Sequence, residues 1–290
     1  MKILLCSLLN IFLLLNTASW AAPVGNTGNP FLWDDGLLAK TGSILLMATL
    51  DFDYQTNRLP NQINRFTWED PRQVSTESRH YKQVRSSKNQ YYCNGLKLGA
   101  AMYESAVVYL MAGVCNTSVD LTYYDKTIAY DYEVKENFKS DNDFYYGAGA
   151  SFLMYQGAYK KDTPVEIGLD IKYRKLEMED DDFSSAGKFY SSSFDEMQMA
   201  LVVSAETGPV NPYFGYRISA TLGEEHYINR NQDSSYSKTG YIDYKNDITW
   251  FKNTGYVAGM SFYLKGLCLI NFEIREGDEK GLGLSSTIKF

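Results

Sequence analysis

The sequence predicts an all-β chain: a transmembrane antiparallel up-and-down barrel of about ten strands, with short periplasmic turns and long extracellular loops. Three observations carry this. Apolar and polar residues alternate with period two over most of the chain beyond residue 43. After residue 22 no stretch approaches the ~18 consecutive apolar residues of a spanning helix, which leaves the closed barrel as the other way across a bilayer. The connections alternate between short and long. Composition agrees: 24 Tyr against 7 Pro in 290 residues suits strands better than a disordered chain.

Taken in order, residues 1–21 read as a secretory signal peptide. Lys2 is its positive region, Ile3 to Leu15 its apolar region, and Ser19-Trp20-Ala21 its small-residue cleavage site. Cys6 leaves with it. Residues 22–42 are then a periplasmic N-terminal segment, and 43–290 a single barrel domain. The first strand sets Ile44, Leu46, Ala48, Leu50 and Phe52 against Met47, Thr49, Asp51 and Asp53. Segments 92–104 and 106–124 flank a tight turn near Glu104. Segment 143–157 is strand-like, with a phase that the alternation does not fix. Next, Val165, Ile167, Leu169, Ile171 and Tyr173 oppose Glu166, Gly168, Asp170, Lys172 and Arg174. The alternation recurs over 196–206, 213–222, 256–264 and 268–275. The last strand sets Leu282, Leu284, Ser286, Ile288 and Phe290 against Gly283, Ser285, Thr287 and Lys289. Short turns fall near 104, 158–162, 207–209 and 265–266. Long polar loops fall at 55–90, 126–142, 178–193 and 224–252, and 276–279 is brief.

A spanning sheet cannot leave an edge unpaired, so 280–290 is expected to pair with both 267–275 and 43–54. Ile288, Phe272, Phe262, Ile218, Leu201, Ile171 and Leu46 are expected to face outer-membrane lipid. The soluble alternatives, a secreted β-sandwich or a lipid-binding barrel, would turn those residues inward. They also leave the loop alternation and the terminal Phe without a reason.

A net charge of −7 argues against nucleic-acid binding, which needs a basic face. Two His and four Cys without CxxC or HxxxH spacing give no metal site, and no Gly-rich phosphate loop is present, so no cofactor is expected. Enzymatic activity is not expected either. Ten-stranded outer-membrane proteases of the omptin type use paired acids and an Asp-His pair at the outer rim. Here Asp180-Asp181-Asp182 and His226 fall on that side, but no Asp neighbours His226. The run from Glu177 to Asp182 lacks the spacing of a calcium loop and reads as a solvated charge run.

The inward set is Asp51, Asp53, Lys97, Glu166, Asp170, Lys172, Arg174, Glu196, Gln198, Glu206, Arg217, Glu273, Arg275 and Lys289. Both signs are present. That fits a wet, weakly selective pore, and it fits equally a network of paired charges that plugs the lumen. Cys93 and Cys115 form a second candidate pair. For a hairpin turning at 104–105, paired positions sum to about 208 or 209, which puts the two Cys opposite each other and inside. An exported location permits a disulfide, and two free thiols filling the lumen remain the alternative. Cys268 would be isolated.

After the cleavage site the chain reads Ala22-Pro23-Val24-Gly25-Asn26, then Pro30, Phe31, Leu32 and Trp33 to Gly36. This resembles the start of the chlamydial major outer membrane proteins, which open with a Pro-Val-Gly-Asn motif. Leu98 to Val114, and Asn211-Pro212-Tyr213-Phe214-Gly215, are similar to the same family. The resemblance implies a porin-like channel of the bacterial outer membrane, in a shortened form: the family's chains are longer, with more strands. They also carry a Cys-rich segment after the motif, where 27–43 here has none, so the resemblance does not extend to a crosslinked envelope. The function expected is passive diffusion of small hydrophilic solutes. The alternative is a non-conducting structural barrel, or an adhesin whose loops bind host or envelope partners. The C-terminal strand ending on Phe290 resembles the signal read by the barrel-assembly machinery.

Overall fold

The computed structural model describes residues 44–59, 66–67, 82–102, 106–127, 130–159, 163–180, 188–229, 242–264, 268–277 and 279–289. The expected signal peptide, the segment 22–42 and Phe290 lie outside the described residues. Eleven strands follow in order: β1 (Ile44–Leu59), β2 (Phe66–Thr67), β3 (Lys82–Met102), β4 (Ala106–Thr127), β5 (Tyr130–Tyr159), β6 (Thr163–Asp180), β7 (Lys188–Ala205), β8 (Val210–Asn229), β9 (Ile242–Leu264), β10 (Cys268–Gly277) and β11 (Glu279–Lys289). Among the described residues no helix is long and apolar enough to cross a membrane.

Ten of these strands form one closed antiparallel barrel. Neighbours in sequence pair in turn from β3 to β11, and β11 pairs back onto β1 from Met47↔Lys289 to Asn57↔Glu279. β1 pairs on its other side with β3. The two-residue β2 is an addition on β9 rather than a stave of the wall. The expected pairing of 280–290 with both 267–275 and 43–54 is therefore observed.

Period two decides the two faces, because successive side chains leave a strand on opposite sides. Leu46, Leu98, Leu110, Ile171, Leu201, Ile218, Phe262, Phe272 and Ile288 are all exposed on the outside. Their in-between neighbours, where described, are buried or partly buried. β7 shows the pattern plainly: Met197, Met199, Leu201 and Val203 are exposed, while Glu196, Gln198, Ala200, Val202 and Ser204 are buried. The exterior is apolar and the interior polar, the reverse of a water-soluble barrel.

The ends of β3 and β4, β5 and β6, β7 and β8, and β9 and β10 that are joined by the shortest connections fall at one rim. The loops at the other rim are shorter than the sequence suggests. β4 runs to Thr127 and β5 starts at Tyr130, so the expected 126–142 loop is mostly strand. Strands also extend into 55–90, 178–193 and 224–252. Tyr- and Thr-rich stretches favour extended backbone even where their polarity reads as loop. The wall is consequently uneven: β5 has 30 residues and β10 only 10. Since ~9–11 residues cross a bilayer, the β4–β5 side projects far beyond the β10–β11 side.

Two bulges explain the unresolved phase of 143–157. Between Leu153 and Tyr155 the strand carries one residue more than β6, and its faces swap there. Near Asn142, β5 carries an extra residue against β4. Asn142 sits at φ 66°, a left-handed conformation Asn tolerates, and its N–H donates to Asn116 Oδ1 at 3.1 Å.

Closure yields a direct test. Thr49 and Thr287 are cross-strand partners on β1 and β11, with hydroxyl oxygens 2.9 Å apart. The double variant Thr49→Cys, Thr287→Cys, refolded under oxidising conditions, is expected to form that crosslink, identified by peptide mapping of the unreduced protein. A folded variant with both new thiols free contradicts the seam.

Candidate functional site

The lumen is built by the same alternation. Every second residue of each strand points to the barrel axis, and there the chain places its charges. Asp51, Asp53, Glu166, Asp170, Lys172, Arg174, Glu196, Arg217, Glu273 and Arg275 are all buried inside. Lys97 points inward too, with its side chain 18% exposed. Gln198 is buried beside them, whereas Glu206 lies partly exposed at the short-turn rim. The side chain of Lys289 lies outside those described.

Three clusters organise these residues. The first centres on Arg275 of β10. It pairs with Asp53 across β11, with Glu279 at 3.1 Å, and with Glu273 at 3.9 Å. Glu279 also receives Arg217 Nη1 at 2.9 Å from β8, reaching over β9 and β10. Tyr213 OH donates to Glu273 at 3.2 Å. Gly281 leaves room for the guanidinium: a Cβ there would lie 2.7 Å from Arg275 Nε. The second cluster joins Asp51 to Lys97 at 2.9 Å and Asp170 to Lys172 at 3.4 Å. Tyr109 OH and Ser151 Oγ both donate to Asp170 Oδ1, at 2.8 and 2.7 Å. Tyr109 reaches it by crossing Gly149, where a Cβ would collide with the ring. In the third, Arg174 places Nε and Nη2 on Glu196 Oε2 at 3.0 and 2.7 Å, and its guanidinium lies 5.8 Å from the Tyr145 ring centroid.

One sector of the lumen is apolar instead. Tyr91, Cys93, Met111, Cys115, Tyr145, Leu176 and Phe194 pack together from β3 to β7. Within that sector Cys93 and Cys115 are paired opposite one another and joined by a disulfide, with Cα atoms 4.0 Å apart. Cys268, of intermediate exposure, carries a free thiol.

Three buried carboxylates escaped the sequence reading. Glu279 falls in the brief loop expected at 276–279, although Gly281, Gly283, Ser285 and Thr287 continue its phase inward. Glu225 was assigned to the loop 224–252, although it keeps the inward phase of Arg217, Ser219 and Thr221. It accepts from Tyr190 OH at 3.0 Å. Asp143 lay in the segment of ambiguous phase. It accepts from Ser140 Oγ, and from the Glu179 N–H at 3.4 Å. Among the described residues no group of His, Cys, Asp and Glu could hold a metal ion.

No family model matches the sequence, and no curated protein matches it. Among solved structures, the transport unit of the autotransporter AIDA-I from Escherichia coli is similar at 10% identity and a TM-score of 0.32, covering 91% of this chain and 94% of that one. An outer membrane channel from Pseudomonas putida F1 is similar at 9% identity and a TM-score of 0.30, covering 93% of this chain and 97% of that one. The Pseudomonas putida toluene transporter TodX is similar at 7% identity and a TM-score of 0.29, covering 95% of each chain.

Arg275 is the shared cation of Asp53, Glu273 and Glu279. Its replacement leaves three carboxylates buried together. Arg275→Gln is expected to destabilise the folded barrel by about 3–5 kcal/mol, the usual loss when one partner of a buried ion pair is removed. Urea unfolding in detergent micelles measures this, and an unchanged midpoint contradicts the assignment.

Proposed function

We propose that this chain is an outer-membrane barrel, exported behind a cleaved signal peptide, that acts as a narrow porin-like channel for small hydrophilic solutes. The observation that carries the reading is the inverted polarity of the wall. Leu201 is 48% exposed, while Arg275 and Glu273 on the inner face are 0% and 2% exposed. An apolar exterior belongs in hydrocarbon, and a closed sheet leaves no backbone group unpaired there. The short turns then face the periplasm and the taller rim the outside. The resemblance of the N-terminal motif to the chlamydial major outer membrane proteins supports the same reading. No catalytic step belongs to it.

The charges favour a channel over a purely structural barrel. A barrel that only had to be stable could fill its lumen with apolar side chains, since buried ion pairs contribute little net stability. A permeation path for hydrophilic solutes needs polar walls. A specific observation favours the second reading, a non-conducting structural barrel or adhesin. Most of the inner charges are out of reach of water: Arg217 is 1% and Glu166 0% exposed. A barrel near eight strands is just wide enough for side chains to fill, and ten strands add little. On the channel reading, conduction follows separation of the ion pairs, and the filled lumen is the closed state.

Planar-bilayer recording of the refolded protein separates the two. The channel reading expects discrete conductance steps interrupted by long closures. Protein that keeps its heat-modifiable mobility on gels and gives no steps favours the structural barrel.

A further inference from the structure

We infer that the lumen selects for small cations; this rests on the channel reading above and names the charge class of its solute. Among the described side chains, nine inward carboxylates are buried. Against them stand five cationic groups, Lys97, Lys172, Arg174, Arg217 and Arg275, leaving an excess of four negative charges.

The excess is not spread evenly. Ion pairs occupy the middle of the barrel, and two carboxylates with no ion-pair partner among the described residues bracket them. Glu166 lies four residues into β6 from the short-turn rim. Ser204 Oγ donates to its Oε2 at 3.3 Å, and its Oε1 receives no hydrogen bond among the described residues. Asp143 lies at the level of Glu179, thirteen positions farther along β6, a separation of ~40 Å along the strand. Its Oδ1 accepts from Ser140 and from the Glu179 N–H, while Oδ2 is buried and receives no hydrogen bond of good geometry among the described residues. Both side chains are more than nine-tenths buried.

A buried carboxylate with an unsatisfied oxygen is costly unless it takes up a proton or a cation comes to it. With no basic side chain among those described at either place, a mobile cation supplies that charge. A cation approaching from either end meets an acidic group before the central pairs. An anion meets repulsion first. Acidic residues at the constrictions of other cation channels act by the same electrostatics.

Reversal potential across a KCl gradient in planar bilayers tests the inference. The wild-type protein is expected to give a K+ to Cl− permeability ratio severalfold above one. The double variant Glu166→Gln, Asp143→Asn breaks no ion pair, and its ratio is expected to fall toward one. The pair Glu166→Lys, Asp143→Lys is expected to take it below one. Gel mobility of each variant reports that the barrel has formed. A wild-type ratio at or below one overturns cation selection while leaving the channel standing, as does a folded neutralised variant with an unchanged ratio. Absence of any conductance step from folded wild-type protein overturns both readings.

Discussion

The pairing of β11 with β1 is the interaction on which everything else depends. Without it β1 and β11 would be bare edges, each presenting a row of unpaired N–H and C=O groups. With it, eleven cross-strand positions from Met47↔Lys289 to Asn57↔Glu279 join the ends of the chain, and the sheet has an inside and an outside. Closure also turns a local rule, side chains alternating along a strand, into a global one. A slip of β1 by one residue would put Asp53 outside and Phe52 inside, so polarity fixes register as firmly as hydrogen bonding does.

The lumen follows from closure and from strand number. A ten-stranded barrel is narrow, so inward side chains from different strands meet. Arg217 reaches Glu279 over two intervening strands, and Arg275 reaches Asp53 over one. These contacts brace the barrel from within, as Arg174 and Glu196 do for two adjacent strands. Glycines at the crossing points make the reach possible. The apolar sector around the Cys93–Cys115 disulfide packs beside these charges, with Cys93 paired to Asp53 and the Tyr145 ring against Arg174, so charges and hydrophobic packing divide one interior between them.

Much of this was legible in the sequence. Strict alternation in 44–53, 165–174, 196–204 and 268–275 identified the strands and their inward charges, because a buried face and a lipid face are each chemically uniform. The 93–115 pairing followed from arithmetic on a tight turn. Two kinds of feature were not legible. Bulges at Asn142 and Met154 shift the phase by one residue, and no residue type marks such a shift from sequence alone; Asp143 was lost there. Strand extensions at the taller rim are polar, because nothing apolar surrounds them, and in sequence such polarity reads as loop. Glu225 was lost for that reason. Glu279 could have been found: the phase of Gly281, Gly283 and Ser285 runs straight back to it. Contacts across the lumen, such as Arg217 with Glu279, depend on barrel diameter and shear, which no local pattern encodes.

The central claim is that the outward face lies in hydrocarbon and the inward face does not. Adjacent residues on β8 test it, since Phe214 is 47% exposed and Tyr213 is 4% exposed. In protein produced without residues 1–21, and so without Trp20, and carrying Trp33→Phe, Trp68→Phe and Trp250→Phe, a single tryptophan is introduced by Phe214→Trp or by Tyr213→Trp. Each protein is then refolded into vesicles whose acyl chains are brominated. The account expects strong quenching of fluorescence for Phe214→Trp and little for Tyr213→Trp. Equal quenching at the two positions, or the reverse order, would contradict it.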